Sequence, residues 1–174
     1  MSLSSSIQVE VSSSNYDQYI MPSENQIQTM RKGGRFNQST ILTYSDGSEW
    51  VFLPNKGEER FCGFLYLQEA IKQAGLSKVK AAENKMAIHD KQIIYLSQYC
   101  GDKRLEWPDG FNEASSLAEI GFTDTVGLAN LRKIDDVIYV FDTEKGSFAN
   151  GVHEKINSFV HVHDAIRSTL EKRM

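Results

Sequence analysis

The stretch "TILTYSDGSEWVFLP", Thr40 to Pro54, decides the fold. Two runs rich in β-branched and aromatic residues, Thr40–Tyr44 and Glu49–Leu53, flank Ser45-Asp46-Gly47-Ser48. A short polar, glycine-containing segment between such runs is the signature of a β-hairpin. After it, "ERFCGFLYLQEAIKQAGLS" (Glu59–Ser77) sets Phe61, Phe64, Leu65, Leu67, Ala70 and Ile71 at helical spacing and reaches Gly75 where a C-cap belongs. The spacing predicts an amphipathic helix. Two further runs, "KMAIHD" and "KQIIYLSQY", are separated by His89-Asp90-Lys91 and predict a second hairpin. Ile27 to Tyr99 thus reads as strand, strand, helix, strand, strand, with Trp50, Phe52, Phe61, Phe64 and Tyr66 as the core beneath the sheet.

On either side the character changes. Residues 1–25 are rich in Ser, Gln and Asn without a sustained apolar period, which predicts a flexible N-terminal arm. Beyond Cys100, "GDKRLEWPDG" is a polar connector, and "FNEASSLAEIG" predicts a short helix closed by Gly121. In "KIDDVIYVFDTEKGSF" (Lys133–Phe148) the turn Ile134-Asp135-Asp136 leads into the strand Val137–Phe141 and an acidic exit beginning at Asp142. A closing helix is expected over "VHEKINSFVHVHDAIRSTLEKRM". The expected organisation is α+β: an arm over 1–25, a mainly antiparallel sheet with one principal helix over 26–102, and a connector, hairpin and terminal helix over 103–174.

Composition bounds what such a chain does. With 174 residues, 40% hydrophobic and 24% charged, it fits one domain or two small lobes sharing a core. A net charge of -4, with no basic run, gives no electrostatic footprint for nucleic acid or an anionic membrane. The apolar runs are too short to span a bilayer, and the start lacks the order of a secretory signal, so a cytoplasmic or otherwise intracellular protein is expected, with signal-less secretion left open. Cys62 and Cys100 lack a CxxC spacing and read as reduced core thiols. His161 and His163 would share a face on a strand but diverge on a helix, which argues against a shared zinc or iron site there.

The strand-strand-helix-strand-strand unit, the connector and "FTDTVGLANLRKIDDVIYVFDTE" (Phe122–Glu144) together resemble the small lobe, hinge and catalytic segment of protein-kinase-like phosphotransferases, the group that includes aminoglycoside kinases. The resemblance covers Ile27 to Phe148. It implies ATP and magnesium as cofactors, with Asn130 and Asp142 as metal ligands and Asp124 as the catalytic base. One carboxylate and one amide oxygen suit magnesium, which prefers hard oxygen donors and leaves room for phosphate and water. Gly33 and Gly34 stand where a phosphate-covering loop is expected, and Lys56 and Glu69 are the candidates for a nucleotide-orienting ion pair.

The chain also departs from that pattern. Phe122-Thr123 precede Asp124 in place of the family's usual residues, and Asp124 lies one residue further from Asn130 than is usual. Leu53 stands where the phosphate-binding Lys belongs, with Lys56 displaced into a turn, and Gly33-Gly34 lacks the GxGxxG spacing. Missing cations remove groups that stabilise a transferring phosphoryl group. The expectation is therefore a reduced or degenerate kinase-like protein that binds a protein partner rather than transferring phosphate efficiently. A divergent active phosphotransferase and an unrelated α+β interaction module remain the alternatives. In the plainest reading Asp142 ends a strand, Asn130 caps a loop and Glu69 lies on an exposed helix face.

Overall fold

The Thr40–Pro54 hairpin sits inside a larger antiparallel sheet in the computed structural model, which describes residues 13–34, 38–106, 108–125 and 128–174. The elements are β1 (Ile27–Gly33), β2 (Ser39–Tyr44), β3 (Glu49–Leu53), α1 (Gly57–Ala74), β4 (Val79–Ala81), β5 (Asn84–His89), β6 (Gln92–Gln98), α2 (Phe111–Glu119), β7 (Leu131–Ile134), β8 (Val137–Val140), α3 (His153–Asn157) and α4 (Val160–Glu171). The fold is α+β, as expected. Five strands form one antiparallel sheet in the order β1-β2-β3-β6-β5, and β4-β8-β7 form a second.

Local chemistry explains the parts that match expectation. Gly47 takes a positive φ in the β2–β3 turn, and Asp90 and Lys91, both at positive φ, form the two-residue loop that a twisted β5–β6 hairpin favours. Gly75 ends α1 in the left-handed region, its N–H returning to the carbonyls of Ile71 and Lys72. Pleating sends Trp50 to a small cluster with Leu42, Tyr44, Ala87 and Leu96, while Val51 and Leu53 face the other way.

Other parts differ. Strand β1 escapes sequence reading because Gln28 to Lys32 are all exposed and show no alternation. Strand β4 is only three residues long, yet its parallel pairing with β8 ties the first half of the chain to the second. Helix α1 is buried at every residue from Phe61 to Leu67, so it is a central helix rather than an amphipathic one. The arm expected over 1–25 is packed where it is described: Tyr19, Ile20 and Met21 are buried, Tyr19 lies edge-on to Phe61 and Phe64, and Met21 N–H donates to the Met86 carbonyl at 2.8 Å. The terminal helix is broken into α3 and α4 around fully buried Phe159. The principal core runs from Tyr19 through α1 to Leu117, Phe122, Leu131, Val140, Ile156 and Ile166. No helix among the described residues is long and apolar enough to cross a membrane.

Candidate functional site

A cleft of about 500 Å³ separates the five-stranded sheet from the β7–β8 hairpin. Ile41, Val51 and Leu53 line it from the sheet, Arg132, Phe141, Asp142 and Thr143 from the hairpin, and Arg60 from α1. The segment Tyr99–Asp102, which follows β6, lines it as well. Arg132 fastens that connector to the hairpin: its Nε donates to the Gly101 carbonyl at 3.0 Å and its Nη1 to those of Ala129 and Leu131 at 2.9 and 3.0 Å. Its guanidinium also packs over the Phe141 ring at 4.7 Å, and burial lowers its pKa.

The hairpin brings the three acidic and amide candidates into one neighbourhood. Phe141 N–H donates to the Asn130 carbonyl at 3.1 Å, so the end of β8 lies beside the start of β7. Asp142 then takes a left-handed φ of 62, two residues past the end of β8. Asn130, buried to 9% exposure, donates its amide nitrogen to Asp124 Oδ2 at 2.9 Å and to the Asp124 carbonyl at 3.1 Å. Ser147 Oγ reaches the same carboxylate at 3.3 Å, and the Asp124 charge is felt at Asp142. With its nitrogen committed to Asp124, Asn130 has its amide oxygen to offer a cation.

Helix α1 grips the Asp142–Glu144 segment from the other side. Arg60 Nη1 donates to Asp142 Oδ1 at 2.5 Å, and Arg60 Nη2 lies 3.6 Å from Glu144, which also pairs with Lys56 at 3.0 Å. Thr143 Oγ1 donates to the Arg60 carbonyl at 2.6 Å. Gly63 lets the backbones meet, because a Cβ there would collide with the Thr143 carbonyl oxygen. Burial raises the Asp142 pKa, outweighing the opposing effect of Arg60. Arg60 Nε is buried without a hydrogen-bond partner among the described residues.

The remaining expected site residues are dispersed. Lys56 does not meet Glu69; it caps α1 in a left-handed conformation and pairs with Glu144. Glu69 lies nine residues beyond Arg60, about 13 Å along the helix axis. It is buried under the N-terminal segment, not on an exposed face, and its charge acts on Tyr19, whose pKa burial and Glu69 push up to about 12. Gly34 lines the cleft and its N–H donates to Asp102 Oδ1 at 2.9 Å, while Gly33 is the buried end of β1; residues 35–37 of the expected phosphate-covering loop lie outside the described residues. Arg60, Thr143 and Arg132 are the functional candidates that sequence reading missed. Arg60 carries one signal, a lone cation directly before an apolar helical run.

Cys62 is a buried free thiol whose pKa burial pushes up to about 12, and Cys100 is a half-buried one pushed to about 11, so neither presents a thiolate nucleophile at neutral pH. No protein-family model, curated protein or solved structure matches this chain.

Proposed function

We propose that this chain is a reduced kinase-like protein whose cleft takes a nucleoside triphosphate with magnesium. The observation that carries the reading is the juxtaposition of Asp124, Asn130 and Asp142 beside a cleft of ligand-binding size, in the chain order that the kinase resemblance implies. Asn130 Oδ1 and Asp142 would hold the magnesium ion, which on binding would neutralise phosphate charge. Arg60 supplies the cation that Leu53 does not. Among the described residues its buried Nε lacks a hydrogen-bond partner, and its Nη1 is held by a carboxylate that a metal would claim. Asp124, held by Asn130 and Ser147, is the group positioned to accept a proton from an acceptor hydroxyl.

The same ion pair supports weak transfer and a role in binding a protein partner. Arg60 occupies Asp142, and Lys56 is engaged with Glu144, so the groups that would orient and neutralise a triphosphate face each other instead. A divergent active phosphotransferase is the second reading, favoured by the Asp124–Asn130 hydrogen bond. Thermal unfolding with millimolar ATP and magnesium tests both. A nucleotide at a hundredfold excess over Kd stabilises by about 2.7 kcal/mol, and Asp142→Ala is expected to abolish the shift. A shift without measurable phosphate release supports the partner-binding form, whereas turnover lost in Asp124→Asn supports the enzyme. No shift at millimolar nucleotide refutes the nucleotide reading and leaves an interaction module.

A further inference from the structure

On the far end of α1 from its C-cap, a second cluster stands apart from the cleft lining, and we propose that it is a divalent transition-metal site with zinc as the fitting ion. Glu58 from the first turn of α1 and His163 and Asp164 from α4 place one ligand atom each within 4.8 Å of one another. His163 Nδ1 lies 2.8 Å from Asp164 Oδ1 and 3.9 Å from Glu58 Oε1. Zinc takes nitrogen and oxygen donors at about 2.0–2.2 Å, so tetrahedral ligand atoms stand roughly 3.4 Å apart. The two separations bracket that value. Both carboxylates are exposed, at 56% and 62%, and can rotate to close the difference, while the imidazole is fixed at 2% exposure.

The imidazole is held as a ligand needs to be. Its ring stacks on Tyr95 at 9° and lies edge-on to Phe61. Nε2 is 2.7 Å from the Tyr95 hydroxyl, which also accepts a hydrogen bond from Arg167 Nη1 at 3.0 Å. With Arg167 donating to its oxygen, the Tyr95 hydroxyl can donate to Nε2 and Nδ1–H to Asp164 Oδ1; a metal on Nδ1 would take the place of that proton, with Nε2–H then given to Tyr95 as the outer hydrogen bond that metal-binding histidines keep. Two ligands and a histidine leave the fourth position to solvent. His161, which sequence spacing set beside His163, is not part of the cluster; it is exposed and bonds the Ser158 carbonyl. The metal would join the start of α1, two residues before Arg60, to α4.

The test is titration of the chelator-treated full chain with Zn²⁺, followed by thermal unfolding, and with Co²⁺, followed by visible absorption. A hundredfold excess of Zn²⁺ over Kd is expected to raise Tm by roughly 5–10 °C, and Co²⁺ to give a tetrahedral absorption band. Glu58→Gln and Asp164→Asn change exposed side chains and leave the core intact. Each is expected to weaken binding more than tenfold and remove the cobalt band, whereas His161→Ala should bind as the parent does. Absence of both signals in the parent, or equal binding by Glu58→Gln and Asp164→Asn, would overturn the proposal and leave His163 held by a proton alone.

Discussion

Replacing Gly63 with alanine tests the contact that joins α1 to the candidate site, because helix propensity and packing give opposite signs. Glycine within a helix is about 1 kcal/mol less favourable than alanine, so propensity alone expects Gly63→Ala to raise Tm by roughly 2–4 °C for a chain of this size. The structure reverses that. The new methyl group would collide with the Thr143 carbonyl oxygen and stand 3.1 Å from the Phe148 ring. Thr143 cannot withdraw freely, because its hydroxyl is bonded to the Arg60 carbonyl at 2.6 Å and Asp142 beside it is held by Arg60. Overpacking against fixed atoms costs about 1–3 kcal/mol, and a backbone collision belongs at the upper end. Subtracting the propensity gain leaves about 2 kcal/mol of net destabilisation, a Tm lowered by roughly 4–8 °C in calorimetry or circular dichroism. An unchanged or higher Tm would refute the close approach of α1 to the Asp142–Glu144 segment.

Arg60→Met is expected to cost about 2 kcal/mol near neutral pH by leaving a half-buried carboxylate without its cation. Burial already holds the Asp142 pKa above its ordinary value, so the folded state binds that proton more tightly than the unfolded chain does, and stability from this group falls as pH rises above the ordinary carboxylate range. Arg60→Met should steepen that fall in Tm and adding Asp142→Asn should flatten it; parallel profiles would contradict the pairing. Gly75→Ala is expected to lower stability by about 1 kcal/mol in a denaturant titration, since Gly75 sits at φ 68 with open space around it. Gly151→Ala, which has equal space and no positive φ, should be neutral within about 0.5 kcal/mol. Tyr95→Phe removes the hydroxyl between His163 and Arg167 and should cost about 1–2 kcal/mol by thermal unfolding.

The hairpins and α1 were legible because their causes are local. Asp46-Gly47, Asp90-Lys91 and Gly75 specify turn and cap geometry over a few residues, and the apolar spacing of Phe61 to Ile71 reads directly as helix. Asn130 and Asp142 were legible as a pair for the same reason, since a short hairpin returns one toward the other. Arg60 was not. It lies 82 positions from Asp142, and no periodicity connects residues that far apart. Glu69 misled because a charged residue on a helix normally faces water, whereas here it is buried on a central helix near Tyr19.

By itself the sequence determined an α+β chain built on two polar-turned hairpins and a strongly apolar helix, with an acidic residue directly after the last strand. It took the tertiary structure to make this helix central, to lay the segment around Tyr19 over it, and to pair β4, from the first half of the chain, with β8 in the second sheet. It alone paired Asp142 with Arg60 and gathered Glu58, His163 and Asp164. The physical reason is range: turns, caps and periodicity act over a few residues, whereas ion pairs and close backbone contacts depend on which surfaces the collapsed core brings together.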